Sequence, residues 1–154
     1  MSHYPDEDSK LRATNLQIRR GGNCPNTLEV LQQLLRQKQE YGACEGAKER
    51  VSPYLMTCLP RHDAPATRTV VESFGPDTLV DFSRCIFRQG KEEPASSYII
   101  RSEATGSRTL VNYNDLEEMT FDEFVVATED LGGENTWFHF EVRKATDNQR
   151  NTQA

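Results

Sequence analysis

The sequence predicts an α/β chain, on three observations. A leucine-spaced helix follows a glycine pair near the N-terminus. A stretch rich in β-formers and turn residues fills the middle. A helix-capping box then precedes a strand-like run of alternating aromatics. Helices and strands therefore interleave along one chain, with a β-rich excursion over about 78–113.

The elements follow in order. Lys10 to Arg20 carries Leu11, Ala13, Leu16 and Ile18 with no helical face and is predicted to be extended, ending at Gly21-Gly22. Asn23 can cap a helix and Pro25 suits its first turn. Leu28, Leu31, Leu34 and Leu35 then share one face, so the helix is expected over about Pro25 to Gln39. Tyr41 to Arg50 is a polar loop. Val51 to Leu59 suits a strand, with Pro53 at its start or at an edge. Ala66 to Phe74 is a short helix closed by Gly75-Pro76, and Thr78 to Phe87 is β-forming. Ser96–Arg101 and Arg108–Tyr113 flank a Gly-containing turn and form a hairpin. Thr120-Phe121-Asp122-Glu123 starts a helix to about Asp130, with Phe121, Phe124, Val125 and Thr128 on its inner face. Gly132-Gly133 ends it, and Trp137 to Val142 is a strand. Lys144 to Ala154 has no apolar residue beyond two alanines and is expected to be a disordered tail.

Composition narrows the function classes. The 154 residues carry a net charge of −6, which disfavours a general nucleic-acid or anionic-membrane binder. No run approaches the length of a membrane span, and Met1 to Asp8 lacks the basic and apolar regions of a secretory signal, so a cytoplasmic chain is expected. Cys24, Cys44, Cys58 and Cys85 form no CxxC pair and read as reduced thiols. Cys58 and His62 suggest a metal pair, but a second pair at ligand spacing is missing, so no metal site is expected. Leu, Ile, Val and Phe make only 32 of 154 residues, so the apolar core must be thin for the length.

The sharpest local feature is Arg20-Gly21-Gly22-Asn23-Cys24-Pro25-Asn26. Two glycines allow close approach to a ligand, a helix N-terminus offers free N–H groups, and two Asn amides suit hydroxyls. A polyol fits that chemistry. A plain strand-to-helix turn with an Asn cap fits it as well. His139 with Glu141 is a potential base pair, although a structural histidine accounts for it too. There is no P-loop and no serine in a nucleophile-elbow context.

Four segments in order resemble the ribokinase-like (PfkB) carbohydrate kinases, most of all their ketohexokinase-like members. They are Tyr4-Pro5-Asp6-Glu7-Asp8-Ser9 with Arg20-Gly21-Gly22-Asn23-x-x-Asn26, Pro94 to Ile100, Gly106 to Val111, and Trp137 to Arg143. The resemblance covers about Tyr4 to Arg143 and implies an incomplete kinase domain over 1–143. That domain would be a partial ribokinase-like sheet-and-helix core with an inserted β-rich lid, its lid strands at about 1–20 and 78–113. It further implies that Asp8, Gly22, Asn23 and Asn26 hold sugar hydroxyls, with Arg143 near the substrate and the transferred phosphoryl group. ATP and Mg²⁺ would be the cofactors, a ketose or pentose the substrate, and lid strands the means of homodimer formation. The family's catalytic Asp-Thr-x-Gly-Ala-Gly-Asp motif is absent from the chain, and so is its first strand with a sugar-binding Asp. Met56-Thr57-Cys58-Leu59-Pro60-Arg61 stands where a glycine-rich Gly-x-Asp segment belongs. The expectation is therefore about half of such a domain, with no catalytic residue of its own, inactive as an isolated chain. A non-catalytic sugar-binding or dimerisation module is the alternative.

Overall fold

The computed structural model describes residues 1–40, 51–131, 133 and 135–141. Its elements are α1 (Asn23–Glu40), β1 (Cys58–Pro60), α2 (Pro65–Glu72), β2 (Ile86–Arg88), β3 (Ser96–Arg101), β4 (Arg108–Tyr113) and α3 (Phe121–Thr128). Helices and strands are mixed, and β1 and β2 run parallel with α2 between them, so the α/β class holds. The expected loop at Tyr41 to Arg50 and the expected tail at Lys144 to Ala154 lie outside the described residues.

The parallel unit forms because two apolar stretches meet on either side of a short amphipathic helix. The predicted strands at 51–59 and 78–87 do run side by side, but mostly through separate bonds. Leu55 N–H donates to the Asp81 carbonyl at 3.0 Å, and Asp81 N–H to the Pro53 carbonyl at 2.9 Å. Ile86 N–H donates to the Thr57 carbonyl at 2.9 Å, where the three-residue ladder begins. Pro53 accepts but cannot donate, which limits the pairing at that end. The core sits on this unit: Leu55, Leu59, Phe74, Val80 and Cys85 are buried together, with Leu28, Val70, Phe82 and Phe87 against them. Phe74 and Phe82 meet edge to face at 5.3 Å.

α2 ends two residues before the expected Phe74, and Gly75, at φ +92, turns the chain away. The hairpin falls where the sequence placed it, with Ser96 opposite Tyr113 and Arg101 opposite Arg108. Its tip is tied to the N-terminus, since Glu103 N–H donates to the Met1 carbonyl at 2.8 Å and Ala104 N–H to that of Ser2 at 2.9 Å. Residues 1–22 contain no helix or strand, so the stretch predicted to be extended over Lys10 to Arg20 pairs with nothing as a strand. Leu16 and Ile18 there are 83% and 86% exposed.

α3 begins on the predicted capping box: Glu123 N–H donates to Thr120 Oγ1 at 3.2 Å, and Thr120 N–H to Glu123 Oε2 at 2.9 Å. Two arginines of the parallel unit hold it. Arg88 binds the Glu123 carboxylate and also donates to the carbonyls of Glu117 and Glu118. That pairing, with the Thr120 bonds, holds the Glu123 carboxyl at about 2, well below its ordinary value. Arg84 grips Asp130 in two-pronged fashion, at 2.6 and 2.9 Å, and donates to the Ala127 carbonyl. The inner face differs from expectation. Phe121 is 78% and Val125 45% exposed, leaving Phe124 and Thr128 as the partly covered positions. The strand expected over Trp137 to Val142 is not formed in 137–141, and Val142 lies outside the described residues. Instead Phe138 and Phe140 lean on the Phe124 ring at 6.0 and 5.6 Å.

Candidate functional site

The glycine pair is followed at once by α1, and the geometry there explains its residues. Gly22 has φ +94, a conformation that residues with a Cβ rarely adopt. A Cβ at Gly22 would also meet Pro25 Cδ at 3.1 Å and Cγ at 3.2 Å. The Gly22 carbonyl accepts the Asn26 N–H at 3.2 Å, so the turn is locked into the first helical bond. The helix therefore starts at Asn23 itself, with Gly22 in the place expected of an Asn cap.

Asn23 gives its backbone N–H, and not its side chain, to a distant acid. Asn23 N–H donates to Glu141 Oε2 at 2.9 Å. A carboxylate at the positive end of a helix is electrostatically favoured. The same segment approaches Cys24, whose thiol lies 3.7 Å from the His139 carbonyl. Asn23 and Asn26 are exposed, and neither side-chain amide has a hydrogen bond among the described residues. The site thus combines two open side-chain amides with a carboxylate bound to the first N–H of the helix.

The turn is fixed from behind by Arg20. Its guanidinium lies 3.8 Å from the centre of the Phe74 ring, donates to Ser73 Oγ at 3.3 Å and forms an ion pair with Glu29. The Arg20 side chain is only 8% exposed. One arginine thereby joins the approach to the turn, the second turn of α1 and the end of α2.

Gly22, Asn23 and Asn26 are thus brought together, as the sequence suggested. Asp8 lies in a separate exposed turn at φ +59, closed by Ser9 N–H donating to the Asp6 carbonyl at 3.1 Å. No hydrogen bond or ion pair among the described residues joins Asp8 to the start of α1. Arg143 lies outside the described residues. Glu141 is the site residue that sequence reasoning passed over. The sequence pattern presents it only as a partner for His139, and its place two residues before Arg143 is the available signal. His139 instead sits 6.2 Å from the Trp137 ring. Cys58 accepts a hydrogen bond from Arg88 at 3.4 Å and His62 packs edge-on against Phe87 at 4.9 Å, so the two have separate partners.

A substitution tests the turn. Gly22→Ala is expected to destabilise the chain by about 1–3 kcal/mol, because the left-handed backbone and the Pro25 ring both oppose a methyl group. Urea titration followed by far-UV circular dichroism measures it. Gly21→Ala is the control, since a Cβ there meets nothing within 4 Å.

What the arrangement can do is hold hydroxyl groups: amides donate and accept, and the carboxylate accepts. Among the described residues no cluster of His, Cys, Asp and Glu could hold a metal ion, and no helix is long and apolar enough to cross a membrane. No protein-family model matches the chain, and no curated protein matches it significantly.

Proposed function

We propose that this chain is the sugar-binding and lid portion of a PfkB-type carbohydrate kinase, binding a ketose or pentose without transferring phosphate. The observation that carries the reading is the Gly22-Asn23-x-x-Asn26 turn. It sits at a helix N-terminus with both amides open and a carboxylate, Glu141, delivered from the far end of the chain. Of the lid strands the resemblance expects at about 1–20 and 78–113, the β3–β4 hairpin supports only the later part; residues 1–20 form no strand, and 81–88 pair within the parallel unit instead. Asp8 and Arg143 would complete the sugar contacts. ATP and Mg²⁺ belong to the family's reaction. The transfer step needs a base and an anion hole, and the motif that supplies them is absent from this sequence. No nucleotide step therefore follows from these residues.

The test is titration calorimetry with fructose and with ribose, beside a coupled ATP-to-ADP assay. Wild-type chain is expected to bind one of the sugars and to form no ADP. The double variant Asn23→Ala/Asn26→Ala should weaken binding at least tenfold, as the loss of two hydroxyl-binding groups worth about 1 kcal/mol each requires. Absence of binding to either sugar would remove the reading. ADP formation that Asn23→Ala abolishes would remove its non-catalytic part.

A dimerisation module is the second reading, and one observation favours it. Tyr98, Val111 and Tyr113 share one face of the two-stranded hairpin and are 65%, 58% and 47% exposed. Lid strands of two copies would cover that face and pair their open edges.

A further inference from the structure

Ahead of the glycine turn, Lys10 and Arg12 stand four and two positions before Thr14. All three are exposed, and neither cation has an ion pair among the described residues. Lys10 to Arg19 lies in no helix or strand and makes no backbone–backbone hydrogen bond among the described residues. The stretch can therefore enter a partner's cleft without breaking any element. Thr14 itself has one tie: its Oγ1 donates to Glu103 Oε1 at 3.0 Å, on the turn of the β3–β4 hairpin. The same turn holds the start of the chain, through Glu103 and Ala104 N–H groups on the Met1 and Ser2 carbonyls. Thr14–Glu103 is thus the side-chain part of a junction between residues 1–14 and the hairpin tip.

We propose that Thr14 is the acceptor of a serine/threonine protein kinase that reads basic residues upstream of its target, and that the phosphate opens this junction. Such a kinase places acids against the upstream cations of an extended segment, and the charge pattern selects the substrate. Lys10 and Arg12 supply that pattern. In the transfer, Thr14 Oγ1 forms a bond to the γ-phosphorus of the kinase's ATP. Its proton passes to the kinase's catalytic carboxylate, the bond from the γ-phosphorus to the bridging oxygen breaks, and ADP leaves. The group that donated to Glu103 then carries a charge of about −1.5 to −2. A donor has become an anion facing a carboxylate, and the contact turns repulsive. Lys10 and Arg12, on the same stretch and without partners, take the phosphate instead. Ser52 also follows a lysine and an arginine at this spacing, Lys48 and Arg50. Its next residue, Pro53, is buried with its carbonyl held by Asp81 N–H, so Ser52 is tied to the parallel unit where Thr14 is not.

The test incubates the full chain with ATP, Mg²⁺ and the catalytic subunit of cyclic-AMP-dependent protein kinase, and locates phosphate by mass spectrometry. Phosphate on Thr14 is expected. The double variant Lys10→Ala/Arg12→Ala changes two exposed, unpaired positions and should slow incorporation at least tenfold, through loss of the recognised charges. Hydrogen exchange at the Glu103 and Ala104 amides, read by NMR, reports the junction. Phosphorylation should speed that exchange at least tenfold, and Thr14→Glu should speed it in the same direction. Glu103→Gln replaces the carboxylate with an amide that can donate to the phosphate, so phosphorylating that variant should change exchange less than about twofold. No phosphate on Thr14, or phosphate on Ser52 alone, overturns the proposal. So does incorporation that the double variant leaves unchanged. Unchanged exchange in chain phosphorylated on Thr14 overturns the opening of the junction.

Discussion

Gln32→Ala is expected to destabilise the protein by about 2–4 kcal/mol, a loss more typical of a core leucine than of a helical glutamine. Gln32 is 3% exposed. Its Nε2 donates to the Phe74 carbonyl at 3.1 Å, and its Oε1 accepts from Thr78 Oγ1 at 3.1 Å and from Leu79 N–H at 3.3 Å. Thr78 Oγ1 accepts in turn from Val80 N–H at 3.1 Å. One side chain therefore satisfies the backbone where the chain leaves α2 and turns toward β2. Truncation strands several polar groups in a place water cannot easily reach, and each stranded group costs its full desolvation. Gln32→Met keeps the volume and removes only the hydrogen bonds. It should cost nearly as much, which separates polar satisfaction from packing. Urea midpoints with unchanged slope measure both. Leu34→Ala is the counter-test: Leu34 is 57% exposed, and its loss should stay within about 0.5 kcal/mol.

That pair shows what the sequence concealed in α1. Leucine spacing selected Leu28, Leu31, Leu34 and Leu35 as the buried face. The actual face runs through Leu28, Leu31, Gln32 and Leu35, with a glutamine deepest and only Leu34 of the four leucines facing water. Hydrophobic periodicity assumes that buried means apolar. It cannot register a polar residue whose every hydrogen-bonding group meets a partner more than forty positions away. Local signals fared better. The hairpin and the Thr120 capping box depend on neighbouring residues and lie where the sequence put them, while α1 follows the glycine pair as expected but starts two residues early, at Asn23. The parallel pairing of 53–60 with 81–88 was legible only as two β-forming stretches, because register and direction are set by tertiary contact. The run 137–141 has a strand's alternation, but strands need ladder partners, and among the described residues it has none. The site divides the same way. Gly22, Asn23 and Asn26 were readable as a motif, whereas Glu141 reaches Asn23 across 118 positions and Arg20 is held by Glu29, Ser73 and Phe74.

Leu55→Ala is expected to cost about 3–5 kcal/mol, the largest effect of a single truncation in this chain. Leu55 is 1% exposed and lies among Leu59, Phe74, Val80 and Cys85. Its backbone is fixed from two sides, by its N–H on the Asp81 carbonyl and by the Cys85 thiol donating to its own carbonyl at 3.2 Å. A site pinned in that way cannot collapse into the cavity, so the cost falls at the upper end of the range for leucine truncations. The core is also small. Seven hydrophobic residues are buried among the described residues, so one leucine is a large part of it. For a domain with total stability of about 5–15 kcal/mol, such a loss leaves a substantial unfolded population. Cys85 supplies a second, independent readout. Burial pushes its thiol up to about 12, so the folded chain holds almost no reactive thiolate there. Alkylation of Cys85, followed by mass spectrometry at neutral pH, should be slow in the wild type and at least tenfold faster in Leu55→Ala. The exposed variant Leu34→Ala should leave that rate unchanged. Equal alkylation in Leu55→Ala and wild type would mean that the cluster around Leu55 does not open as one unit.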